Sequence, residues 1–305
     1  MSVRRRGPPT ILRALGPRLG LLLGGVLALV AAQAVRAAPL PRLAWPPPKL
    51  DHPIVVRVGA PGTLKLDPSR DYVIRMPNHP LVGPGGLVVE GGHDVVLIGG
   101  TIEVPQLGPD ASIDRRRGLY LIDQTGTIHV EGVHIDGAGL SEGIDLSEPL
   151  GATVQLENIR IGRLRARDEV HWTDNHPDLV QTWSGPAVLR IDGLSGVTDY
   201  QGLFLAPNQF PPQVPMRSVD LRRINIVSAH ACTCVLLWNA SPFPVITASN
   251  VWLAPTRGRS LASVLWPKTA AWPGARLGMP TTGPFVPDGS VGVGYRTPGY
   301  VSARR

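Results

Sequence analysis

The chain has 305 residues, of which 43% are hydrophobic and 17% are charged, with 35 glycines and 32 prolines. This composition supports a sizeable core, excludes a largely disordered chain and disfavours long helices. The formal charge is +7, but residues 1–37 contain six arginines and no acidic residue, so the remainder carries only +1. A nearly neutral protein lacks the basic surface that binds DNA or RNA, and nucleic acid is not an expected partner.

Residues 1–37 have the three parts of a secretory signal peptide. "RRR" provides the positive region, "LGLLLGGVLALVAAQAV" the apolar region, and small residues follow in "AQAVRAAP". The pattern predicts export with cleavage after Ala34 or Ala37, which would make the protein secreted, periplasmic or associated with the cell envelope. The apolar run also reaches the lower length limit for crossing a bilayer, so a retained membrane anchor remains the alternative.

The next segments differ in composition. Residues 38–53 form a proline-rich linker without periodicity, and short apolar runs separated by Gly, Pro, Asn and Asp occupy residues 54–255. No window of helical length in this range shows a sustained helical period, so the chain is predicted to be all-β. Residues 256–305 lose the pattern again, and we expect them to form a loop-rich cap over the end of the β domain.

A repeated unit organises the β region. Each unit begins with a four-residue run and continues with two further strand-like pieces, at an irregular spacing of roughly 24 to 35 residues. The runs are "GLVV" (86–89), "GLYL" (118–121), "GIDL" (143–146), "DLVQ" (178–181), "GLFL" (202–205) and "CVLL" (234–237). This repetition predicts a solenoid, a parallel β-helix of six or more three-strand rungs. The rival is an irregular β-sandwich, which would favour two-residue hairpin turns.

The pieces "LENIRIGRL", "LRRINIVSA" and "VEGVHIDGA" share an alternating apolar pattern broken by Asn or Gly. In this respect the chain resembles the right-handed parallel β-helix proteins of the pectin-lyase-like superfamily, over roughly residues 70–255. The resemblance implies a right-handed solenoid that contacts carbohydrate. It does not select a reaction, because the polygalacturonase motifs "NTD", "GHG" and "RIK" are absent.

The four-residue runs also predict which side chains face the core. Their second and fourth residues are expected to point inward: Leu87/Val89, Leu119/Leu121, Ile144/Leu146, Leu179/Gln181, Leu203/Leu205 and Val235/Leu237. Gln181 would then place an amide among aliphatic neighbours, where it must find hydrogen-bond partners. Cys232 and Cys234 are expected to be small side chains in a strand rather than metal ligands.

The stretch "NHPDLVQTW" (175–183) supplies the candidate catalytic residues. His176 and Asp178 differ in parity from Gln181, so both are predicted to point outward, and Asp145 is predicted to do so on the neighbouring rung. We predict that these three residues transfer protons, since a pair of carboxyl groups catalyses glycoside hydrolysis. The alternative for His176 is that "DNHPD" only shapes a turn.

Aromatic and basic residues nearby predict substrate binding. Trp183, Tyr200 and Trp238 are expected to stack on sugar rings, because aromatic faces cover the apolar face of a pyranose. Arg163 would pair with the carboxylate of a uronate, as a lyase requires. The alternatives are that the tryptophans pack loops and that the arginine belongs to a solvated loop. Thr182 is also predicted to point outward.

Metal binding and function remain open from the sequence. Asp174, Asp178 and Glu169 have the oxygen ligands that Ca²⁺ prefers, but no ordered ligand spacing supports a site, and no metal is assigned. The expected partner is a polysaccharide or cell-surface glycan. The sequence therefore predicts a carbohydrate-active lyase or glycoside hydrolase acting on an acidic polysaccharide. The alternative is a non-catalytic glycan-binding or envelope scaffold.

Overall fold

The structure is a computed structural model that describes residues 39–166, 177–210, 213–229, 234–241, 244–268 and 271–301. The predicted leader lies outside the described residues, as do His176, Asp174, Glu169 and Cys232. Helical structure in the described ranges consists of short 3₁₀ turns, at Ile113–Arg116 and Leu261–Ser263. None of the described helices is long and apolar enough to span a bilayer.

The described strands form two parallel sheets, as in a β-solenoid, and the prediction of an all-β chain is confirmed. The eight-stranded sheet comprises β2 (Gly62–Leu66), β5 (Leu87–Gly91), β8 (Arg117–Ile122), β11 (Glu142–Ser147), β13 (Asp178–Ser184), β15 (Gln201–Leu205), β17 (Leu237–Asn239) and β19 (Leu265–Trp266), paired in that order. Each strand therefore pairs with its counterpart in the preceding and following units rather than with its neighbour in sequence.

The twelve-stranded sheet contains the other two strand-like pieces of each unit. Its main path is β1 (Ile54–Arg57), β3 (Tyr72–Arg75), β6 (Val95–Ile98), β9 (Thr127–Glu131), β12 (Thr153–Leu164), β14 (Val188–Thr198), β16 (Ser218–Ser228), β18 (Val245–Ala254) and β20 (Ala275–Leu277). The branch β4 (Leu81–Val82), β7 (Thr101–Glu103) and β10 (His134–Asp136) joins this path at β12.

The long strands bend at one shared corner. Five residues, each directly after a paired residue, have a positive φ between 50° and 82°: Gly132, Asn158, Gly193, Arg223 and Asn250. Only glycine adopts this conformation without cost, and asparagine tolerates it better than other residues. Asn or Gly therefore turns the strand at four of these five corners, and Arg223 turns β16.

Alternation along the strands fills the space between the sheets with aliphatic side chains. Four of the predicted inward pairs are fully buried in one continuous core: Leu87/Val89, Leu119/Leu121, Ile144/Leu146 and Leu203/Leu205. On the other sheet the same core receives residues such as Ile128, Val130 and Leu156. Core formation by period-two patterning is thus confirmed for these rungs.

Described residues on both sides of the predicted β domain also pair with other parts of the chain. Strands β19 and β20 continue the two sheets beyond residue 255. Leu43, in the proline-rich segment, forms a parallel bridge with Tyr300. Cys234, which was expected to be only a small side chain in a strand, is in a disulfide.

Candidate functional site

A continuous row of side chains follows the outer face of the eight-stranded sheet. Strand pairing aligns Tyr120, Asp145, Gln181, Phe204, Trp238 and Trp266 on consecutive strands. Their neighbours in sequence, such as Ile144 and Leu203, belong to the core, so this row faces away from it. We call these six residues the outer row; five aromatic or amide side chains thus accompany one carboxyl group.

The outer row corrects the predicted register in two strands. Val180, not Leu179, pairs with Ile144, so Gln181 aligns with Asp145 and Phe204 on the outer face. Thr182, which was predicted to point outward, takes the inward place beside Leu146 and Leu205. The predictions for Gln181 and Thr182 were therefore wrong by one residue.

The second shift affects β17 and has a different consequence. Leu237 pairs with Leu203 rather than with Leu205, a displacement of two residues. A shift of two preserves the side on which each residue lies, so Trp238 still faces outward as predicted.

Leu179 shows why the shift in β13 occurs. Gly118, Gly143 and Gly202 stand at the corner that precedes the inward leucine or isoleucine of their strands, and Leu179 takes the same place. Its side chain is fully buried against Gly196, where an added Cβ would lie 2.6 Å from the Leu179 methyl carbons. Both Leu179 and Val180 thus contribute to the core.

Three carboxyl groups lie together at the start of the strands next to the outer row. Asp145 and Asp178 have no exposed surface, and Glu142 is 3% exposed. The backbone N–H of Asp178 donates to Oε2 of Glu142 over 3.2 Å. Neither carboxylate oxygen of Asp178 has a hydrogen-bond partner among the described residues. We call Glu142, Asp145 and Asp178 the acid cluster.

Arg117 covers one side of the acid cluster. Its Nε lies 2.5 Å from Oδ2 of Asp145, an ion pair without an aligned hydrogen bond. Its guanidinium carbon lies 4.5 Å from the ring centre of Trp183 and 5.2 Å from that of Tyr120. The arginine therefore joins the acid cluster to the aromatic surface, with cation–π attraction holding it in place.

The environment shifts the pKa of every carboxyl group in the acid cluster. Burial raises the pKa of Asp145 to about 7, against the lowering effect of the Arg117 charge. Burial, followed by the charge of Asp145, raises the pKa of Asp178 well above its ordinary value. The pKa of Glu142 rises for the same reasons, with Asp178 adding to them. Ionising one group opposes ionisation of the next, so the cluster titrates as a unit.

The predicted binding residues divide between two places. Trp183 and Trp238 lie on the outer face, with Trp183 5.6 Å from Tyr120 and Trp238 5.5 Å from Phe204, centre to centre. Tyr200 lies near the acid cluster. Burial raises its pKa, and the charge of the nearby Asp178 adds to the rise. Arg163 instead ends β12 in a bidentate pair with Asp199, at 2.8 and 3.1 Å.

Arg117 and Glu142 were missed by the sequence reasoning. Both directly precede the glycine that opens a four-residue run, in "RGLYL" and "EGIDL". They pair with each other across β8 and β11, and Asp178 stands in the same place on β13. The sequence signal is a charged residue directly before the glycine of the run. Asp178 matches this signal only when Leu179, rather than Asp178, is aligned with the glycines of the other runs.

A cavity of about 300 Å³ adjoins the outer row. Phe204 forms one wall, and the segments after β15 and β17 supply Asn208, Gln209 and Ser241. The volume lies at the lower end of the range for small-molecule sites, and the lining combines one aromatic face with polar groups. This arrangement suits a polar ring lying against Phe204.

A separate group of side chains offers metal ligands. Asp71, His93 and Asp94 bring three ligand atoms within 4.8 Å of one another, beside a cavity of about 470 Å³. Nδ1 of His93 is 3.0 Å from Oδ1 of Asp71, so these atoms already form a hydrogen bond. The predicted calcium ligands are different: Asp178 lies in the acid cluster, and the other two are outside the described residues.

Comparison with known proteins adds no relative. No family model matches the sequence, and no curated protein or solved structure shows significant similarity to it. The functional argument therefore depends on the geometry of the outer face alone.

Proposed function

We propose that this chain is an exported, right-handed parallel β-helix protein that hydrolyses a polysaccharide on the outer face of its eight-stranded sheet. The observation that carries the proposal is the acid cluster, in which the buried carboxyl oxygens of Asp178 lack hydrogen-bond partners among the described residues, beside a row of aromatic rings. Buried polar groups are almost always paired in proteins, and shifted carboxyl pKa values concentrate at functional sites. A purely structural role would favour apolar residues here.

The acid cluster contains the two protonation states that glycoside hydrolysis needs. Burial, followed by the charge of Asp145, raises the pKa of Asp178 and so favours its protonated form, which can protonate the glycosidic oxygen. Asp145, beside Arg117, is the group that ionises and can accept a proton from the attacking water. The charges of Asp145 and Asp178 in turn oppose ionisation of Glu142.

The state of Arg163 favours hydrolysis over elimination. A lyase acting on a uronate needs a cation that neutralises the substrate carboxylate. Arg163 was predicted for that role, but both its Nε and an Nη contact Asp199. We therefore propose a hydrolase and assign Arg163 to fixing the turn before β15.

A non-catalytic glycan-binding scaffold is the second candidate. The acid cluster has almost no exposed surface, whereas Trp266 is 50% exposed and Phe210 is 55% exposed. Aromatic rings at the surface bind sugars without any help from carboxyl groups. The complete burial of Asp145 and Asp178 is the specific observation that favours this candidate.

The deciding experiment is a panel of neutral, acetylated and acidic polysaccharides incubated with the full chain. We expect new reducing ends without unsaturated products, since hydrolysis adds water across the bond. Unsaturated products would show elimination and overturn the hydrolase proposal. Binding without either product would select the scaffold.

The outer row gives a binding prediction. Trp238→Ala should weaken oligosaccharide binding at least about fivefold, because a stacked ring contributes roughly 1 kcal/mol beyond burial. Isothermal titration calorimetry would measure this. Trp252→Ala is the matched control, since Trp252 lies on the twelve-stranded sheet and stacks with Arg276. Equal losses in the two variants would exclude the outer row as the binding surface.

The pKa shifts give a prediction for the pH dependence of turnover. Activity should rise as pH increases through about 7, where Asp145 ionises to become the base. It should fall at higher pH, where Asp178 loses the proton that it must donate. A profile of kcat/KM against pH would test this order, and an optimum at about pH 4 to 5, typical of unshifted carboxyl groups, would contradict it.

A further inference from the structure

The two ends of the described chain meet on the outer face of the twelve-stranded sheet. Leu43 donates its backbone N–H to the Gly299 carbonyl over 2.9 Å, and the Val301 N–H donates to the Leu43 carbonyl over 2.8 Å. Leu43 is completely buried. We call residues 43–46 and 295–300 together the strap, because they cross the sheet as one paired unit.

Two glutamates on adjacent strands hold the strap. The hydroxyl groups of Tyr295 and Tyr300 donate to the two carboxylate oxygens of Glu131, over 2.7 and 2.6 Å. The backbone N–H of Trp45 donates to Oε1 of Glu157 over 2.9 Å. Glu131 and Glu157 are directly paired across β9 and β12. Both halves of the strap thus depend on neighbouring carboxyl groups.

A third carboxyl group continues the row on β14. Asp192 pairs with Glu157, and its Oδ2 accepts the Ala44 backbone N–H over 2.8 Å. Asp192 also binds Arg223, with Nε 2.6 Å from Oδ1. Its charge is therefore balanced by a cation beside it.

Glu157 is the member of this row that forms no ion pair with an arginine among the described residues. Its Oε2 is buried without a hydrogen-bond partner there, 3.9 Å from Nδ1 of His129. His129 directs its other nitrogen, Nε2, to Glu131 over 3.1 Å. An ionised carboxylate at this place would stand between Glu131 and Asp192, in a site closed to water.

The remaining charged groups around Glu157 serve other contacts. Arg190 and Arg222 lie on either side of the Trp45 ring, 5.6 and 4.7 Å from its centre. Arg222 also forms a bidentate pair with Asp220. Burial raises the pKa of Glu157 to about 8 against the lowering effect of the Trp45 hydrogen bond, with the charges of Asp192 and Glu131 adding to the rise and that of Arg223 opposing it.

We propose that the strap is a proton-dependent latch, closed when Glu157 is protonated and released when Glu157 ionises. Its release would expose the outer face of the twelve-stranded sheet. The latch is independent of the proposed hydrolysis, because it lies on the other sheet.

The sign of the effect follows from proton linkage. With the strap lifted, Glu157 meets water and its pKa returns to about 4.3, the ordinary value for glutamate. The closed strap holds the proton up to about pH 8. Closing therefore takes up a proton between these limits, and the closing constant falls as pH rises, by up to about tenfold per pH unit. Glu131 acts oppositely, since its pKa is lowered, and its contribution is lost only in acid.

Hydrogen exchange of the full chain, followed by mass spectrometry, tests the latch. We expect protection factors of peptides covering 41–48 and 293–301 to fall at least tenfold between pH 6 and pH 8, after correction for intrinsic exchange. Peptides from the eight-stranded sheet should keep their protection. If all peptides lose protection together, or if the strap peptides show no pH dependence, the proposal is wrong.

Two variants separate Glu157 from other titrating groups. Glu157→Gln retains an oxygen for the Trp45 N–H and cannot ionise, so the strap peptides should lose their pH dependence. Glu90→Gln is the control, because Glu90 pairs with Lys65 on the other sheet, and it should behave as the unaltered chain. A pH dependence unchanged in Glu157→Gln would assign the effect to another group and overturn the latch.

Discussion

Asp178→Asn should abolish turnover while leaving the fold intact. Asparagine has the same shape but cannot give up a proton to the glycosidic oxygen, and a positioned general acid contributes about 10² to 10⁴ in rate. Burial of the Asp178 side chain raises its pKa and disfavours the charged form, so the neutral amide suits the same site. Initial rates of reducing-end release, with melting temperature measured in parallel, would check both parts.

The control for this variant is Asp110→Asn. Asp110 is exposed in the segment between β7 and β8 and is not a member of the acid cluster. It should retain full turnover and the same melting temperature. Turnover retained in Asp178→Asn would remove Asp178 from the mechanism, whereas unfolding would give it a structural role instead. If the chain is a scaffold, neither variant should change glycan binding.

Leu179→Ala should reduce the free energy of unfolding by about 3 kcal/mol, within the range for a buried leucine truncated to alanine. Three other strands have glycine at the equivalent place: Gly118, Gly143 and Gly202. From these strands alone, one would expect a small residue to be tolerated at position 179. The difference is that the Leu179 side chain fills space against Gly196. Denaturant unfolding followed by circular dichroism would measure the loss.

A double-mutant cycle with Gly196→Ala tests the contact directly. Alone, Gly196→Ala should destabilise by about 1 to 2 kcal/mol, since its Cβ would press against the Leu179 methyl groups. Combined with Leu179→Ala, the new methyl group enters the vacated space, and the two effects should fall short of their sum by about 1 kcal/mol. Strict additivity, or a negligible effect of Leu179→Ala, would show that the register of β13 differs from the one described.

Much of the architecture was predictable because alternation is a local property. Leu119 and Leu121, or Ile144 and Leu146, point inward wherever their strands lie, since residues two apart always share a face. The Asn and Gly of the repeated pattern likewise mark the corner, because few residues adopt positive φ cheaply. Fold class and most core positions followed from these local rules.

The acid cluster could be predicted only in part. Asp145 and Asp178 were expected on the outer face, but the consecutive aliphatic residues Leu179 and Val180 permit two alternations, and the sequence does not choose between them. The hydrogen-bond ladder with β11 and β15 chooses Val180, which moves Gln181 outward and Thr182 inward. The same choice brings Glu142 beside Asp178, a contact that no local pattern contains.

The sequence by itself determined the all-β class, the inward faces of most strands and the Asn and Gly corners of this protein. The tertiary structure decided which side chains meet, because loops of unequal length separate the repeated strands and only their pairing brings Arg117 to Asp145. The strap shows this most clearly: Tyr300 donates to Glu131 across 169 positions of chain. Contacts at such separation depend on how all the intervening rungs stack. They form only after the intervening chain has lost the conformational entropy of loop closure.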